Sequence, residues 1–242
     1  MIYRYETHLH CSLCSMCAVS TPHELVHAYH SAGYAGFVLT DHFIFGNTCV
    51  NPALPWNARM RRYYGAYLDA VEAAAELDFD VLFGIEHAFG HGKELLLYGI
   101  DLDFLLSVPD LPKLSIDRLV ELVHDYGGLA IQAHPYRSRF YIAPGVEPRL
   151  DIVDGIEVYN AANTCNENLP ALNIAREHDF ILTSGGDVHS ISDSAIGHAG
   201  IALPYRVHDG KELVAALRRR DHQLIVGDSI VDADRLEPFH MK

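Results

Sequence analysis

Short apolar, β-branched runs alternate with amphipathic stretches along all 242 residues of the chain. The runs predict strands at Ile2–His8, Gly36–Thr40, Asp80–Ile85, Leu95–Gly99, Leu129–Ala133, Gly155–Val158, Phe180–Thr183, His198–Ala202 and Gln223–Val226. Apolar residues spaced by three and four predict helices over Thr21–Ala32, Ala58–Leu77, Ser115–Tyr126, Asn166–His178 and Asp209–Arg220. The first opens on Thr21, Pro22 and Glu24, where threonine caps, proline takes the first helical position and glutamate closes a capping box. Strands that alternate with helices argue for an α/β fold with mostly parallel pairing through crossovers. No Pro/Ser-rich linker interrupts the rhythm, so residues 1–242 are read as one domain. Residues 43–57 hold a long irregular run, Phe43–Trp56, after the second strand. That run is either a lid over the strand ends or a packed surface loop or oligomer contact.

The chemistry sits at the ends of the strands. Six runs end in metal-capable side chains: His8 and His10, Asp41 and His42, Glu86 and His87, His134, Glu157, and Asp187 and His189. In a β/α barrel the strand C-termini converge on one face, so a single pocket would collect them. His8 and His10 are two apart at a strand end and point to the same side, as do Asp187 and His189. Imidazole and carboxylate donors suit Zn²⁺, Mn²⁺ or Fe²⁺, and no motif calls for an organic cofactor. The bland alternative is that six strand ends carry such residues by accident.

Charge and composition narrow the field further. Eighteen basic against 32 acidic residues give a net charge of −14, which argues against extended nucleic-acid binding. A small anionic substrate stays open, because a multivalent cation reverses the field inside one pocket. No apolar run approaches the roughly 20 residues of a membrane span. Met1–His10 lacks the apolar segment of a signal peptide, so a cytoplasmic location is expected, with the five cysteines reduced. Two other motifs invite metal readings. His23-Glu24-Leu25-Val26-His27 matches the HExxH of zinc proteases, yet capping already explains Glu24. Cys11, Cys14 and Cys17 are spaced as in an iron–sulfur run, but the next cysteine is Cys49 and no Cys-Pro follows.

The ordered set His8-Leu9-His10, Thr40-Asp41-His42, Gly84-Ile85-Glu86, Ala133-His134-Pro135 and Gly186-Asp187-Val188-His189 resembles the PHP (polymerase and histidinol phosphatase) family. The resemblance implies a distorted (β/α)7, TIM-like barrel that holds two or three divalent ions and hydrolyses phosphate esters. Carried over position by position, it makes His8, His10, Glu86 and Asp187 one metal site. It has Glu86 bridge to a second ion with His134, where the family's further histidine falls on Leu96. His42 and His189 would hold a third, although Cys11–Cys17 lacks the family's Asp or His; His87, His91 and Cys17 are the nearest replacements.

The mechanism expected of such a cluster is hydrolytic: cations lower the pKa of water towards ~7 and polarise the phosphoryl oxygen. Asp187 and Glu86 would hold the ions, and Arg137 would grip the phosphate, unless it only pairs with a nearby carboxylate. Asn160, with Asn163 beside it, would line the pocket, and His42 or water would protonate the leaving group. Three readings compete: a phosphoesterase for a small phosphorylated metabolite or nucleotide; a metal-dependent hydrolase of an amide or cyclic ester; and a non-catalytic metal-binding module. No membrane partner is expected, and an oligomer stays open.

Overall fold

The computed structural model describes residues 1–241. One ten-stranded sheet organises it, in spatial order β10-β9-β8-β1-β2-β3-β4-β5-β6-β7. Its first half runs β1 (Tyr3–Leu9), β2 (Gly36–Leu39), β3 (Asp80–Gly90), β4 (Lys93–Tyr98) and β5 (Leu129–Gln132). Its second half runs β6 (Gly155–Asn160), β7 (Ile181–Gly185), β8 (Ala199–Leu203), β9 (Gln223–Val226) and β10 (Ser229–Val231). The helices are α1 (Pro22–Ser31), α2 (Trp56–Ala74), α3 (Leu102–Ser107), α4 (Ile116–Asp125), α5 (Cys165–Glu177) and α6 (Gly210–Arg219).

The sheet curls. Just past β7, Val188 forms a parallel bridge to Leu9, the Asp187 amide donates to the His8 carbonyl, and the His10 amide donates to the Val188 carbonyl. The two ends of the β1–β7 series therefore meet at the strand tips that carry the candidate ligands. Two apolar clusters fill the structure, one beneath α1, α2 and α4 around Phe37, Phe83 and Phe104, the other beneath α5 and α6 around Tyr98, Ile156 and Leu217.

Parallel pairing holds for β1–β2–β3 and for β5–β6–β7, whereas β4 and β8–β10 pair antiparallel. The expected seven even repeats give way here. Between β3 and β4 there is no helix, only the turn His91-Gly92, with φ of 57° and 80°. Two successive left-handed residues match the twist of a hairpin, so the chain reverses within two residues. The helical prediction Ala58–Leu77 starts two residues late, because Trp56 already opens α2 and anchors it by donating its indole N–H to the Leu105 carbonyl at 2.7 Å.

Residues 43–55 form a tethered wall. The Met16 amide donates to the Asn47 carbonyl, the Cys49 amide to the Cys14 carbonyl, and Thr48 pairs with Ser15. Phe43 and Val50 are buried beneath, and Phe45 projects outward. No helix among the described residues is long and apolar enough to cross a membrane.

Candidate metal centre

The tips of β1, β2, β4, β5 and β7 converge with the middle of β3 on one buried cluster. Its side chains form four overlapping groups of donors: His8, His10 and Asp187; His8, Glu86 and His134; His42, Glu86 and Glu94; and His10, His42 and His189. Within each group the donor atoms lie inside 4.8 Å of one another. All seven residues expected as ligands (His8, His10, His42, Glu86, His134, Asp187 and His189) are brought together.

Close packing at the turns permits this. Gly185 ends β7, and a Cβ there would come within 2.4 Å of Glu157 Oε1 and 2.5 Å of the His8 Cβ. Only a residue without a side chain lets β7 pass. His134 and Asp187 have φ of 26° and 53°. Non-glycine residues in that region cost of order 1–3 kcal/mol each and collect at functional sites; here the twist aims both side chains inward.

Outer partners fix the tautomers. Glu157 Oε1, an acceptor, lies 2.8 Å from His8 Nδ1, so that nitrogen carries the proton and leaves Nε2 facing Glu86 Oε1 at 3.1 Å. The Asp187 carbonyl likewise accepts from His189 Nδ1 at 2.8 Å. The Ser15 hydroxyl donates to Asp41 at 2.6 Å and so accepts from His10 Nδ1 at 3.2 Å. His10 Nε2 is left 3.2 Å from Asp187 Oδ1. His134 Nε2 stands 3.0 Å from Glu86 Oε1.

His134 Nε2 and Glu86 Oε1 bond to each other, but four other donor atoms of the cluster have no partner. His8 Nε2, His10 Nε2, His42 Nδ1 and Glu86 Oε2 are all buried with no hydrogen-bond partner. His42 Nδ1 approaches Glu86 Oε2 to 2.6 Å, yet out of hydrogen-bond alignment. Unsatisfied buried polar atoms are costly. Several nitrogens and oxygens aimed at shared points are the donor set of divalent cations, so the residues fit the ions the motifs implied.

The electrostatics agree. Burial opposes charge on His8, but Glu157, Asp187 and Glu86 outweigh it and raise its pKa well above the usual imidazole value. His10, lowered by burial and by neighbouring His42 and His189, is held neutral. Burial alone would raise Glu86 and Asp187; the surrounding histidines, and for Asp187 above all Arg137, hold both carboxylates well below the ordinary range.

Two acids were not assigned these roles from the sequence. Glu94 on β4 lies 3.6 Å from His42 Nδ1 and 3.5 Å from His134 Nε2. Burial, then the negative charge of Glu86, pushes Glu94 up to about 8. It occupies the region where a histidine at Leu96 was sought, two residues away along the same strand face. Glu157, noted only as metal-capable, orients His8 and accepts from the His134 amide at 2.9 Å.

Arg137 pairs with a carboxylate, and Asn160 stands outside the cavity lining. Arg137 Nη1 pairs with Asp187 Oδ2 at 2.6 Å, Nε donates to Asn163 Oδ1 and Nη2 to Asn160 Oδ1. Three of its five N–H groups are thus committed, and the ion pair with Asp187 sets its orientation. Asn160 is fully buried, donates to Glu157 Oε2 at 2.8 Å, and braces Arg137 from behind instead of lining the pocket. Asn163 joins it.

Around the cluster opens a cavity of about 810 Å³, lined at its base by His42, Glu94, Arg137, Asp187, His189 and Cys17. The Cys17 thiol, raised by burial but more strongly lowered by hydrogen bonds from His189 and His42, sits at about 6. His87 also lines the cavity, buried and neutral, its pKa lowered by burial to about 4. His91 forms the rim at the hairpin turn.

The two decoys have other partners in the fold. Glu24 accepts from the Thr21 amide at 2.8 Å and closes the capping box of α1. His23 and His27 lie beside Asp69 and Glu72 of α2, not beside the cluster. Cys11 and Cys14 are buried, with Cys11 Sγ donating to Asp41 at 3.0 Å and Cys14 Sγ to the Tyr63 carbonyl at 3.3 Å. Outside the cavity too, His198 pairs with Asp228.

No family model matches the chain, and no curated protein does. Solved structures do. A two-domain protein from Bacteroides vulgatus containing a predicted PHP-like metal-dependent phosphoesterase superposes with a TM-score of 0.68 at 12% identity, covering 95% of this chain and 66% of that one. An amidohydrolase from Chromobacterium violaceum, with sulfate bound and no metal, gives 0.58 at 17%, covering 88% and 96%. The lesion-specific endonuclease Q of Pyrococcus furiosus gives 0.65 at 13%, covering 90% and 56%. The same kind of enzyme has been seen with a 27-mer duplex substrate carrying an abasic lesion, at a TM-score of 0.59. The exclusion of nucleic acid drawn from net charge therefore has no support from the fold. This chain spans only about two thirds and just over half of the first and third of these structures. At such identities the likeness is one of fold, and the chain has the fold that PHP-like metal-dependent phosphoesterases and endonuclease Q share.

Proposed function

We propose that the chain is a metal-dependent phosphoesterase, with His8, His10, His42, Glu86, His134, Asp187 and His189, joined by Glu94, as the residues that hold two or three divalent ions. The observation that carries this reading is the cluster of buried donor atoms, four of them without a hydrogen-bond partner, at the base of an open cavity. Zn²⁺, Mn²⁺ or Fe²⁺ bound there would supply Lewis acidity and activate water for in-line attack on phosphorus.

The chain's own groups do the rest. Glu157, Ser15 and the Asp187 carbonyl fix the protons on His8, His10 and His189 so that each presents its other nitrogen inward. Arg137, held by Asn160 and Asn163, locks Asp187 in place and brings a permanent positive charge to the cavity, which offsets charge on the phosphoryl oxygens.

Phosphate release from 4-nitrophenyl phosphate by chelator-treated protein, before and after Zn²⁺, Mn²⁺ or Fe²⁺ is restored, tests the reading. Metal-dependent release is expected, and its absence with all three ions would overturn it. The amidohydrolase likeness favours a second reading, hydrolysis of an amide or cyclic ester at the same centre. Endonuclease Q adds duplex DNA with an abasic lesion to the substrates worth assaying.

A further inference from the structure

The outer wall of the cavity differs in kind from its base. Phe45 comes from the tethered loop, His87 and Phe89 from the far end of β3, Leu114 and Ile116 from the start of α4, and Tyr141 from the loop after β5. Phe45 is 55% exposed and Tyr141 51% exposed, so neither is consumed by core packing. His87 packs its ring between Phe43 and Phe45, at centroid distances of 6.0 and 5.9 Å, and its buried Nδ1 has no hydrogen-bond partner. The wall thus offers mainly ring faces and aliphatic carbons, with Asn47, His91 and the Tyr141 phenol as its few polar side chains.

From this wall we infer that the cavity has a subsite for a flat, weakly polar ring system on the organic part of the substrate, held between Phe45 and Phe89 and bordered by His87. The inference rests on the phosphoesterase reading and deepens it. A phosphoryl group engages the base alone, and about 810 Å³ is the size of a pocket that encloses a whole small ligand. Among the described residues lining it, Arg137 is the one permanent cation, and its nitrogens already serve Asp187, Asn160 and Asn163. A second phosphate would meet no counter-charge there. A polyol would give up its water for few partners, whereas a ring gains by burying apolar surface against Phe45, Phe89 and Ile116.

Non-hydrolysable phosphonates test this without the reactivity of the leaving group entering. Binding of methylphosphonate, 2,3-dihydroxypropylphosphonate and 1-naphthylmethylphosphonate to the Zn²⁺- or Mn²⁺-loaded protein would be measured by calorimetry. The naphthyl compound is expected to bind about 10- to 100-fold more tightly than the methyl compound, and the dihydroxypropyl compound within about threefold of it. Phe45→Ala, on an exposed loop position, and Phe89→Ala should each shrink the naphthyl advantage while leaving methylphosphonate affinity unchanged. Equal affinity for all three would sink the subsite and leave the phosphoryl site standing, and so would a preference for the dihydroxypropyl compound. If none binds the loaded protein, the phosphoesterase reading fails, and the subsite fails with it.

Discussion

At the scale of single residues, the acid on β4 changes how many ions the cluster can hold. Glu94 closes the group with His42 and Glu86, and its carboxylate stands 3.5–3.6 Å from two imidazoles. Elemental analysis should find Glu94→Ala short of one ion per chain relative to the wild type, whereas His23→Ala keeps the full complement. His8→Ala should lose more, because His8 belongs to two of the donor groups, and Asp187→Ala should lose the ion of the group with His8 and His10. Retention of every ion by Glu94→Ala would remove it from the donor set. Arg137 makes a different demand, since it satisfies three partners with a planar fork. Lysine keeps the charge but cannot span Asp187, Asn160 and Asn163 together. Arg137→Lys should therefore lower kcat by roughly 10- to 100-fold with metal content unchanged. A wild-type kcat would show that the bracing is dispensable.

Among the elements, α5 reaches further than its own capping box. Glu167 accepts from the Thr164 amide at 2.7 Å and from the Ser138 amide at 2.7 Å, and it pairs with Arg139. One carboxylate thus ties the start of α5 to the loop that carries Arg137. Burial would raise its pKa, but the hydrogen bonds from Thr164 and Ser138, then that from Arg139, take it from 4.5 down to about 2. A depressed acid stabilises the fold fully above its unfolded value and loses that contribution as pH falls through its folded one. Wild type should exceed Glu167→Gln by roughly 1–2 kcal/mol at pH 7, allowing for solvent screening. The gap should close between about pH 4.5 and pH 2 in denaturant titrations. A gap that persists at pH 2 would assign it to packing and not to charge.

Elements also explain what the sequence could and could not tell. The ligand motifs were legible because short apolar, β-branched runs mark strands and each run of β1, β3, β5 and β7 ends in its donors. Glu94 was not, because parallel strands reach the mouth with their C-terminal ends, and parallel pairing was the expectation. In the β3–β4 hairpin β4 runs the other way, so its N-terminal end, Lys93-Glu94, arrives there and Leu96 lies deeper. Gly90-His91-Gly92 was the signal that could have revealed it, two glycines around one residue being hairpin chemistry. Arg137 and Asn160 were legible as neighbours of the site but not as partners of each other, since side-chain pairing 23 residues apart leaves no trace in local pattern.

For the molecule as a whole, the cluster is a concentration of opposed buried charges inside a chain of net charge −14, a field that draws cations inward. Folding without ions leaves four buried donor atoms unsatisfied, so metal should stabilise the native state and not merely decorate it. At a free ion concentration of about 100 Kd the gain is about 2.7 kcal/mol per site. For a chain of this size that corresponds to a Tm rise of roughly 5–10 °C over the chelator-treated protein. The rise should depend on pH in a defined sense. His8 and His42 both hold protons more tightly than ordinary imidazoles: burial opposes this, but Glu157, Asp187 and Glu86 prevail for His8, and Glu86 for His42. Those protons must leave before an ion can bind, so at fixed total metal the Tm rise should be large at pH 8 and small at pH 5.5. Calorimetric scans at the two pH values, with Zn²⁺ or Mn²⁺ against chelator, read this directly. A rise independent of pH would mean that the ions bind carboxylates on the surface, and the imidazole cluster would then lose its claim to be the metal centre.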